Sequence, residues 1–396
     1  MAILQTLLRV IFIPIEVYLL FNCLYLLFFA FAGHFNKKKK ELKPLVKRKF
    51  CILIPSYKHD EVITDTSMAA LAHQYDGDFD IYVIADQLRD DTVENLRAHK
   101  INVIEVKFDK STKGKALLTA IGQIPDGKYD IGLILDSDNI MSENFLEKIN
   151  VAFEAGAIAL QAHRVAKNFD NTFALLDACN EEINNHLFRK AHNNAGLGSA
   201  LIGSGMAFEF EYLRHLLHGI DLVLAEDKEM DVRIGKDNIK VVYLDNAYVY
   251  DEKIADAEVF TNQRSRWIFS QLEALKHNFK ESIVRLIRDR NVEMFDKIVQ
   301  LMLLPRTLLL GALFAIFLQS FFNPFGFSPV FNAALLISAG VALLISLPRK
   351  FYNAQLLSVF VKMPAVIFLM VLALFRAGRT KRGWIHTPHN TVAKAD

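Results

Sequence analysis

Apolar residues are concentrated along this chain, not spread through it. Residues 3–32 form an almost uncharged run, interrupted by Arg9 and Glu16, and such a run exceeds the roughly 20 residues that a helix needs to cross a bilayer. A cleaved leader would have a shorter apolar core and a better small-residue site than Ala30-Phe31-Ala32-Gly33. A spanning helix is therefore predicted. Directly after it come Lys37, Lys38, Lys39, Lys40, Lys43, Lys47, Arg48 and Lys49, which by the positive-inside rule place this end in the cytosol. Residues 50 to 293 then have the mixed composition of a globular domain. Apolar character returns at 298–322 and 330–347, joined by the Asn323-Pro324 turn, which predicts two further spans. A last apolar stretch, 354–375, carries Lys362 and Pro364 in its middle and is followed by Arg376, Arg379, Lys381 and Arg382. A lysine at mid-bilayer costs about 2.5–3.5 kcal/mol on insertion scales, and the basic tail would lie on the wrong side if the stretch spanned. An interfacial or re-entrant helix pair is predicted there.

Within the central part, short apolar segments at 50–55, 79–85, 102–106, 131–135 and 157–161 alternate with amphipathic stretches such as 92–98 and 113–123. That alternation predicts an α/β domain with a largely parallel sheet, in which ligands bind beyond the carboxyl ends of the strands. Three strand ends carry candidate chemistry: Pro55-Ser56-Tyr57, Asp86, and Asp136-Ser137-Asp138. Asp136 and Asp138, two residues apart in extended chain, project to one side. Beside a sugar-nucleotide diphosphate they would hold Mg2+ or Mn2+ in an oxygen shell completed by phosphate and water. An acidic loop before a helix at 143–153 accounts for them equally well.

Other segments suit the same ligand. Lys113-Gly114-Lys115-Ala116 opens a helix at 113–123, where a flexible glycine, a helix N-terminus and two cations suit phosphate binding, with Lys115 the candidate contact, although an ordinary basic helix start reads the same. Gly203, Ser204 and Gly205 let backbone approach a ligand closely, or make a tight turn. Glu226-Asp227 precedes a helix at 228–235: Asp227 caps it or serves as the base that takes the proton of an acceptor hydroxyl. Gln263, Arg266 and Trp267 share one helix side by their spacing. They offer a platform for an acceptor sugar and a cation for a diphosphate, or a buried indole with a snorkelling arginine.

Length and composition adjust this picture modestly. A chain of 396 residues fits two or three structural units. The 31 phenylalanines, 52% hydrophobic content and mean hydropathy of +0.20 suit lipid contact as well as a core. A net charge of +2 gives no global electrostatic case for nucleic acid. Cys23, Cys51 and Cys179 show no CxxC or Cys/His metal spacing, which argues against a disulfide framework or a zinc site and for a reducing compartment.

Taken in order, Asp86, Asp136-Ser137-Asp138, Glu226-Asp227 and Gln263-x-x-Arg266-Trp267 resemble the D, DxD, (T/E)D, QxxRW signature of family 2 inverting glycosyltransferases, the group that includes cellulose, chitin and hyaluronan synthases. The resemblance covers residues 50–275. It implies a GT-A type, Rossmann-like nucleotide-sugar domain, a UDP-sugar donor and Mg2+ or Mn2+. By the same likeness Asp86 contacts the nucleotide base, Asp136 the nucleotide, Asp138 the metal, and Asp227 is the catalytic base, with Gln263, Arg266 and Trp267 on the diphosphate and acceptor. Trp384-Ile385-His386-Thr387-Pro388-His389 resembles a gating segment that covers the donor pocket through Trp384 and Thr387. After Asp86 the chain departs from the family pattern, reading Gln87-Leu88-Arg89.

The expected organisation is an N-terminal transmembrane helix (1–36), a cytosolic GT-A domain (37–275), an interfacial helix region (276–297), two transmembrane helices (298–350), re-entrant or interfacial helices (351–376) and a cytosolic tail (377–396). This describes a multi-pass protein of the cell membrane, its catalytic domain in the cytosol. The expected activity is transfer from a UDP-sugar to a growing polysaccharide or glycan, since QxxRW accompanies processive members of the family. Partners are the donor, a glycan or lipid-linked acceptor and membrane lipid, with a homo-oligomer or export partner where a channel is needed. Single transfer to a polyprenyl phosphate or glycolipid is the alternative, and a noncatalytic nucleotide-sensing scaffold is the alternative of another class. A dinucleotide oxidoreductase is disfavoured, because no GxGxxG follows the first strand.

Overall fold

The computed structural model describes residues 2–35, 45–167, 172–220, 226–252, 257–322 and 326–377. Lys37 to Lys43, the Asn323-Pro324 turn, and Trp384 and Thr387 with the rest of the tail lie outside the described residues.

The chain opens with helix α1 (Ala2–Ala32) and enters the α/β domain through β1 (Phe50–Tyr57), α2 (Asp60–Leu71), β2 (Phe79–Asp86), α3 (Asp90–Ala98), β3 (Asn102–Val106), α4 (Lys113–Gln123) and β4 (Ile131–Ile134). It continues with β5 (Ile140–Met141), α5 (Phe145–Glu154), β6 (Ala159–Ala166), α6 (Thr172–Asn184), a π-helical segment (Asn185–Lys190) and α7 (Ala191–Ala195). The domain is completed by β7 (Met206–Glu209), α8 (Phe210–Leu217), α9 (Glu226–Lys236) and β8 (Val242–Asp251). Helices α10 (Ala257–Asp289), α11 (Val292–Met302), α12 (Arg306–Ser320), α13 (Pro329–Ile345) and α14 (Ala354–Ala377) follow.

Strands β1 and β4 are continuous apolar runs because helices cover both faces of the sheet. On one face β1, β2 and β4 side chains such as Ile52, Ile54 and Leu133 meet Ile63 of α2 and Phe145 and Ile149 of α5. On the other, Leu53 and Ile134 meet Leu117 of α4 and Leu213 of α8. The sheet has the order β3-β2-β1-β4-β7-β6-β8-β5. Its first half, β3 to β4, is parallel, as the strand-helix alternation predicts. The second half corrects the expectation of a largely parallel sheet: β7 runs antiparallel to both β4 and β6. The chain leaves β6 through α6, the π-helical segment and α7 and enters β7 running the opposite way.

Helix α1 packs on α12 and α13 and on the π-helical segment, with Leu19, Cys23 and Leu26 against Leu309, Leu335 and Leu187. Polar residues inside this apolar contact have partners. Glu16 accepts from Phe327 N at 2.7 Å and Asn332 Nδ2 at 3.0 Å. Tyr25 Oη lies 2.9 Å from His192 Nε2 and donates to Asp296 Oδ1 at 3.2 Å.

Among the described residues, Phe12–Ala32 is long and apolar enough to cross a membrane, and α11 with α12, bent by 58°, passes the same test if taken as one span. Three features differ from the sequence reading. The run expected as one span at 298–322 starts inside α11 and is divided between α11 and α12. Residue 275 falls inside the unbroken helix α10. The stretch expected as a helix pair is one continuous helix, α14, which keeps its course through Pro364 while packing on α10 through Val366 and Met370.

Candidate active site

A cleft of about 530 Å³ opens beyond the carboxyl ends of β1 and β4 and runs beneath α10 to the start of α12. Pro55, Asp136, Ser137, Asp138, Gly203, Glu226, Asp227, Gln263, Arg266 and Trp267 all line it. Residues up to 212 positions apart, Pro55 to Trp267, are thus brought to one space.

After β4 the chain does not stay extended. Asn139 N donates to Asp136 O at 3.1 Å, closing a turn. Alternation therefore does not govern Asp136 and Asp138, and each has its own partners. Lys113 Nζ pairs with Asp136 Oδ1 and donates to Gly203 O at 2.6 Å. Asp138, 6% exposed, accepts from Glu252 N at 2.8 Å through Oδ2 and from Asn139 Nδ2 at 3.2 Å through Oδ1. Ser137 Oγ lies 2.6 Å from His59 Nδ1.

Asp227 stands in the first turn of α9, with Oδ1 accepting from Lys228 N at 2.8 Å. Its Oδ2 lies 3.8 Å from the place a Cβ would take on Gly203, whose φ of +86° suits glycine. Lys113, Asp136, Gly203 and Asp227 therefore meet. Burial works against the Lys113 ammonium, but Asp136, Glu226 and Asp227 outweigh it and hold its pKa above the ordinary lysine value. Burial, with Asp227 adding to it against the pull of Lys113, pushes the Glu226 carboxyl above the usual carboxylate range.

On α10, the Arg264 guanidinium lies 4.2 Å from the centre of the Trp267 ring and pairs with Asp177. Arg264, not Arg266, is thus the cation stacked on the indole. Trp267 remains 42% exposed. Burial lowers the pKa of Arg266 and Glu226 opposes that shift.

The other expected residues sit outside the cleft wall. Lys115 turns away, its Nζ donating to Lys110 O at 3.0 Å and lying over the Phe108 ring, so Lys113 is the cation of this helix start that faces the carboxylates. Ser204 is fully buried; its Oγ donates to Asn139 Oδ1 and accepts from Asp136 N at 3.2 Å, bracing the turn. Gly205 directly precedes β7, its N donating to Ile134 O and the place a Cβ would take facing Val249. Ser56 is buried in β1, and Tyr57, beside it, is in register with Asp86. Asp86, 1% exposed, has no hydrogen bond to either carboxylate oxygen among the described residues. Burial raises its pKa against the influence of Ser111 and Lys58.

Sequence reasoning did not single out His59, Asn139 or Glu252 for these roles, and of the two lysines at the start of α4 it chose Lys115 over Lys113. Asn139 had the clearest signal, standing directly after the Asp136-Ser137-Asp138 triplet. Among the described residues no group of three or more His, Cys, Asp or Glu side chains is arranged to hold a metal ion. The hard carboxylate oxygens of Asp136 and Asp138 match the donors used where Mg2+ is shared between one or two carboxylates and substrate phosphates.

No protein of curated function matches this sequence. Among solved structures, the mannosyltransferase PcManGT from Pyrobaculum calidifontis, in complex with GDP-Man and Mn2+, shares the fold at 15% identity, with 91% of this chain and 97% of that chain covered and a TM-score of 0.58. TarS residues 1–349 from S. aureus are 14% identical, with 84% and 91% covered and a TM-score of 0.39. Glucosyl-3-phosphoglycerate synthase from Mycobacterium tuberculosis is 16% identical, with 57% and 80% covered and a TM-score of 0.38. The profile of the family described as "Glycosyltransferase like family 2" matches residues 48–270, more than half of the chain and the part that forms the cleft's carboxylate end, and the chain belongs to that family.

Proposed function

We propose that the chain is a membrane-bound inverting glycosyltransferase that moves a sugar from a UDP-sugar to an acceptor hydroxyl on the cytosolic side of a bilayer. The observation that carries this reading is the meeting of Asp136 and Asp227 around Lys113 and Gly203, in the cleft that Asp138 also lines.

Lys113 at the N-terminus of α4 offers positive charge to the donor diphosphate. Asp138 and Asp136 would hold Mg2+ or Mn2+, whose chemistry is to neutralise charge on the departing diphosphate; the Mn2+ that accompanies GDP-Man in the PcManGT complex supports that choice. Asp86, outside the cleft wall, is buried and without a hydrogen bond among the described residues, which leaves its oxygens for a donor on a nucleotide base that reaches this strand end. Asp227 takes the proton of the acceptor hydroxyl, the hydroxyl oxygen bonds to the anomeric carbon, and the bond from that carbon to the diphosphate oxygen breaks, releasing UDP. Attack opposite the leaving group inverts the configuration. Trp267 supplies an exposed ring on which an acceptor sugar can stack.

The membrane reading draws support from the outward faces of the helices. Leu24, Phe28 and Phe31 of α1, Ile337 of α13 and Phe368 of α14 are all more than half exposed, an arrangement that costs free energy in water and none in lipid. The test is UDP release by the lipid-reconstituted protein with a panel of UDP-sugars and Mn2+ or Mg2+. One donor should give release that rises with added glycan acceptor, and product length then separates chain extension from single transfer. Absence of release with every donor would overturn the proposal.

A further inference from the structure

The far end of the cleft is lined by arginines that the transfer chemistry does not use. Arg164, Arg189, Arg264 and Arg306 converge there. Three of them have carboxylate partners: Arg164 pairs with Glu181 at 2.8 Å and Asp251 at 3.3 Å, Arg189 with Glu181 at 3.0 Å, and Arg264 with Asp177. Arg306, the first residue of α12, differs. Its Nη2 donates to the backbone and side-chain oxygens of Asn180, and it forms no ion pair with a carboxylate among the described residues. Its Nη1 is shut off from solvent and donates to nothing among the described residues. The guanidiniums of Arg264 and Arg189 act on it as like charges, with Glu181 in opposition.

Four guanidiniums therefore share three carboxylates in this group, and each keeps one buried nitrogen without a hydrogen bond among the described residues: Nε of Arg164, Arg189 and Arg264, and Nη1 of Arg306. A shielded cation among like charges is costly unless an anion joins it, and a guanidinium fork matches a phosphate better than it matches any neutral group. Arg189 belongs to the π-helical segment, a widened turn of the kind found mostly at functional sites.

Building on the transferase reading, we propose that this end of the cleft is a subsite for a phosphate carried by the acceptor, so that the sugar is added to a phosphate-linked glycolipid. The subsite is distinct from the donor end. From Asp138 the contacts run to Glu252, from its neighbour Asp251 to Arg164, and through Glu181 to Arg189, with Arg306 beyond. The phosphate is thus an anchor and not the nucleophile. A hydroxyl of the attached sugar bonds to the donor's anomeric carbon, its proton goes to Asp227, UDP leaves, and the anchored phosphate is unchanged. A lipid source fits because Leu303, Leu304 and Met370 line the same end and the apolar helix α12 begins at Arg306.

The test uses the full chain in neutral detergent, with dodecyl phosphate, inorganic phosphate and UDP with Mn2+ as probes. Dodecyl phosphate should bind the wild type about tenfold more tightly than inorganic phosphate does, and Arg306→Gln should weaken dodecyl phosphate by about tenfold while leaving UDP affinity within about twofold. Gln keeps a donor for Asn180 and removes the uncompensated charge, so this variant is expected to fold. If it does not, Arg306→Lys, which keeps the charge and loses the fork, decides by a loss of about threefold or more. Equal binding of dodecyl phosphate to wild type and variant overturns the subsite. Inorganic phosphate binding as tightly as the alkyl ester overturns the lipid source. Wild type that binds dodecyl phosphate but not UDP overturns the transferase reading and with it the acceptor role; the converse result removes the subsite alone.

Discussion

At the scale of single residues, the site depends on charges placed where water is scarce. Asp86 is the plainest case, a carboxylate buried at a strand end without a hydrogen bond among the described residues. Its pKa is raised from the ordinary 3.8 by burial. A carboxyl whose folded pKa is raised contributes stability at acid pH and loses it as pH rises through the folded value. Asp86→Asn should therefore gain thermal stability relative to wild type as pH is raised from about 4 to neutrality, while its UDP affinity falls. Melting curves across that range check this, and a pH-independent difference would contradict it.

The same scale shows what the sequence could and could not reveal. That Asp136, Asp138, Glu226 and Asp227 share one cleft was legible from their places at the ends of predicted elements, whereas Asp86, read in the same way, lies outside the cleft wall. The choice between Lys113 and Lys115 was not legible, since both open the helix. One clue was available in the pattern of α4: Ala116, Leu117 and Ala120 face inward, and a residue three or four positions before them lies on that face. Lys113 meets this condition and Lys115 does not. Ser204 and Gly205 were placed at the ligand by their chemistry alone. Their burial beside Asn139 and Val249 depends on where β7 and β8 run, which local pattern does not encode.

At the scale of elements, β1 and β4 were readable as apolar runs and β2 and β3 as short apolar segments between helical stretches, whereas β7 has four residues and follows glycines, and β8 mixes Asp, Asn and Tyr with its apolar positions. The break between α11 and α12 carries a consequence for stability. Pro305 ends one course and the freed groups find partners: Leu304 N donates to Asn22 Oδ1 at 2.9 Å, and Gln271 Nε2 donates to Leu301 O and Leu303 O, both at 2.9 Å. Asn22 is 1% exposed. Asn22→Leu removes the acceptor without creating space, so it should cost about 1–3 kcal/mol, the penalty of a buried unpaired N–H. Denaturant unfolding in detergent measures it, with Asn22→Asp, which keeps an acceptor, as the comparison. Equal stability of the Leu variant and wild type would show that the break is held by packing alone.

At the scale of the whole molecule, the cleft is shared between the α/β domain and the helices that follow it. Its donor end is built from strand ends and the start of α9, its far end from α6, α10 and the first residue of α12. That continuity was hidden from the sequence, whose composition shift near residue 275 suggested a boundary where α10 runs on unbroken to Asp289. The apolar runs were legible as helices, but their mutual packing was not. Carboxylates remote in sequence are assigned here to one reaction. The most direct measurement of that shared role is UDP release by reconstituted wild type, Asp138→Ala and Asp227→Asn, with UDP binding measured in parallel. Asp227→Asn should lose transfer by about 100-fold or more while binding UDP as wild type does, and Asp138→Ala should lose metal-dependent turnover. Wild-type rates in both variants would contradict the assignment.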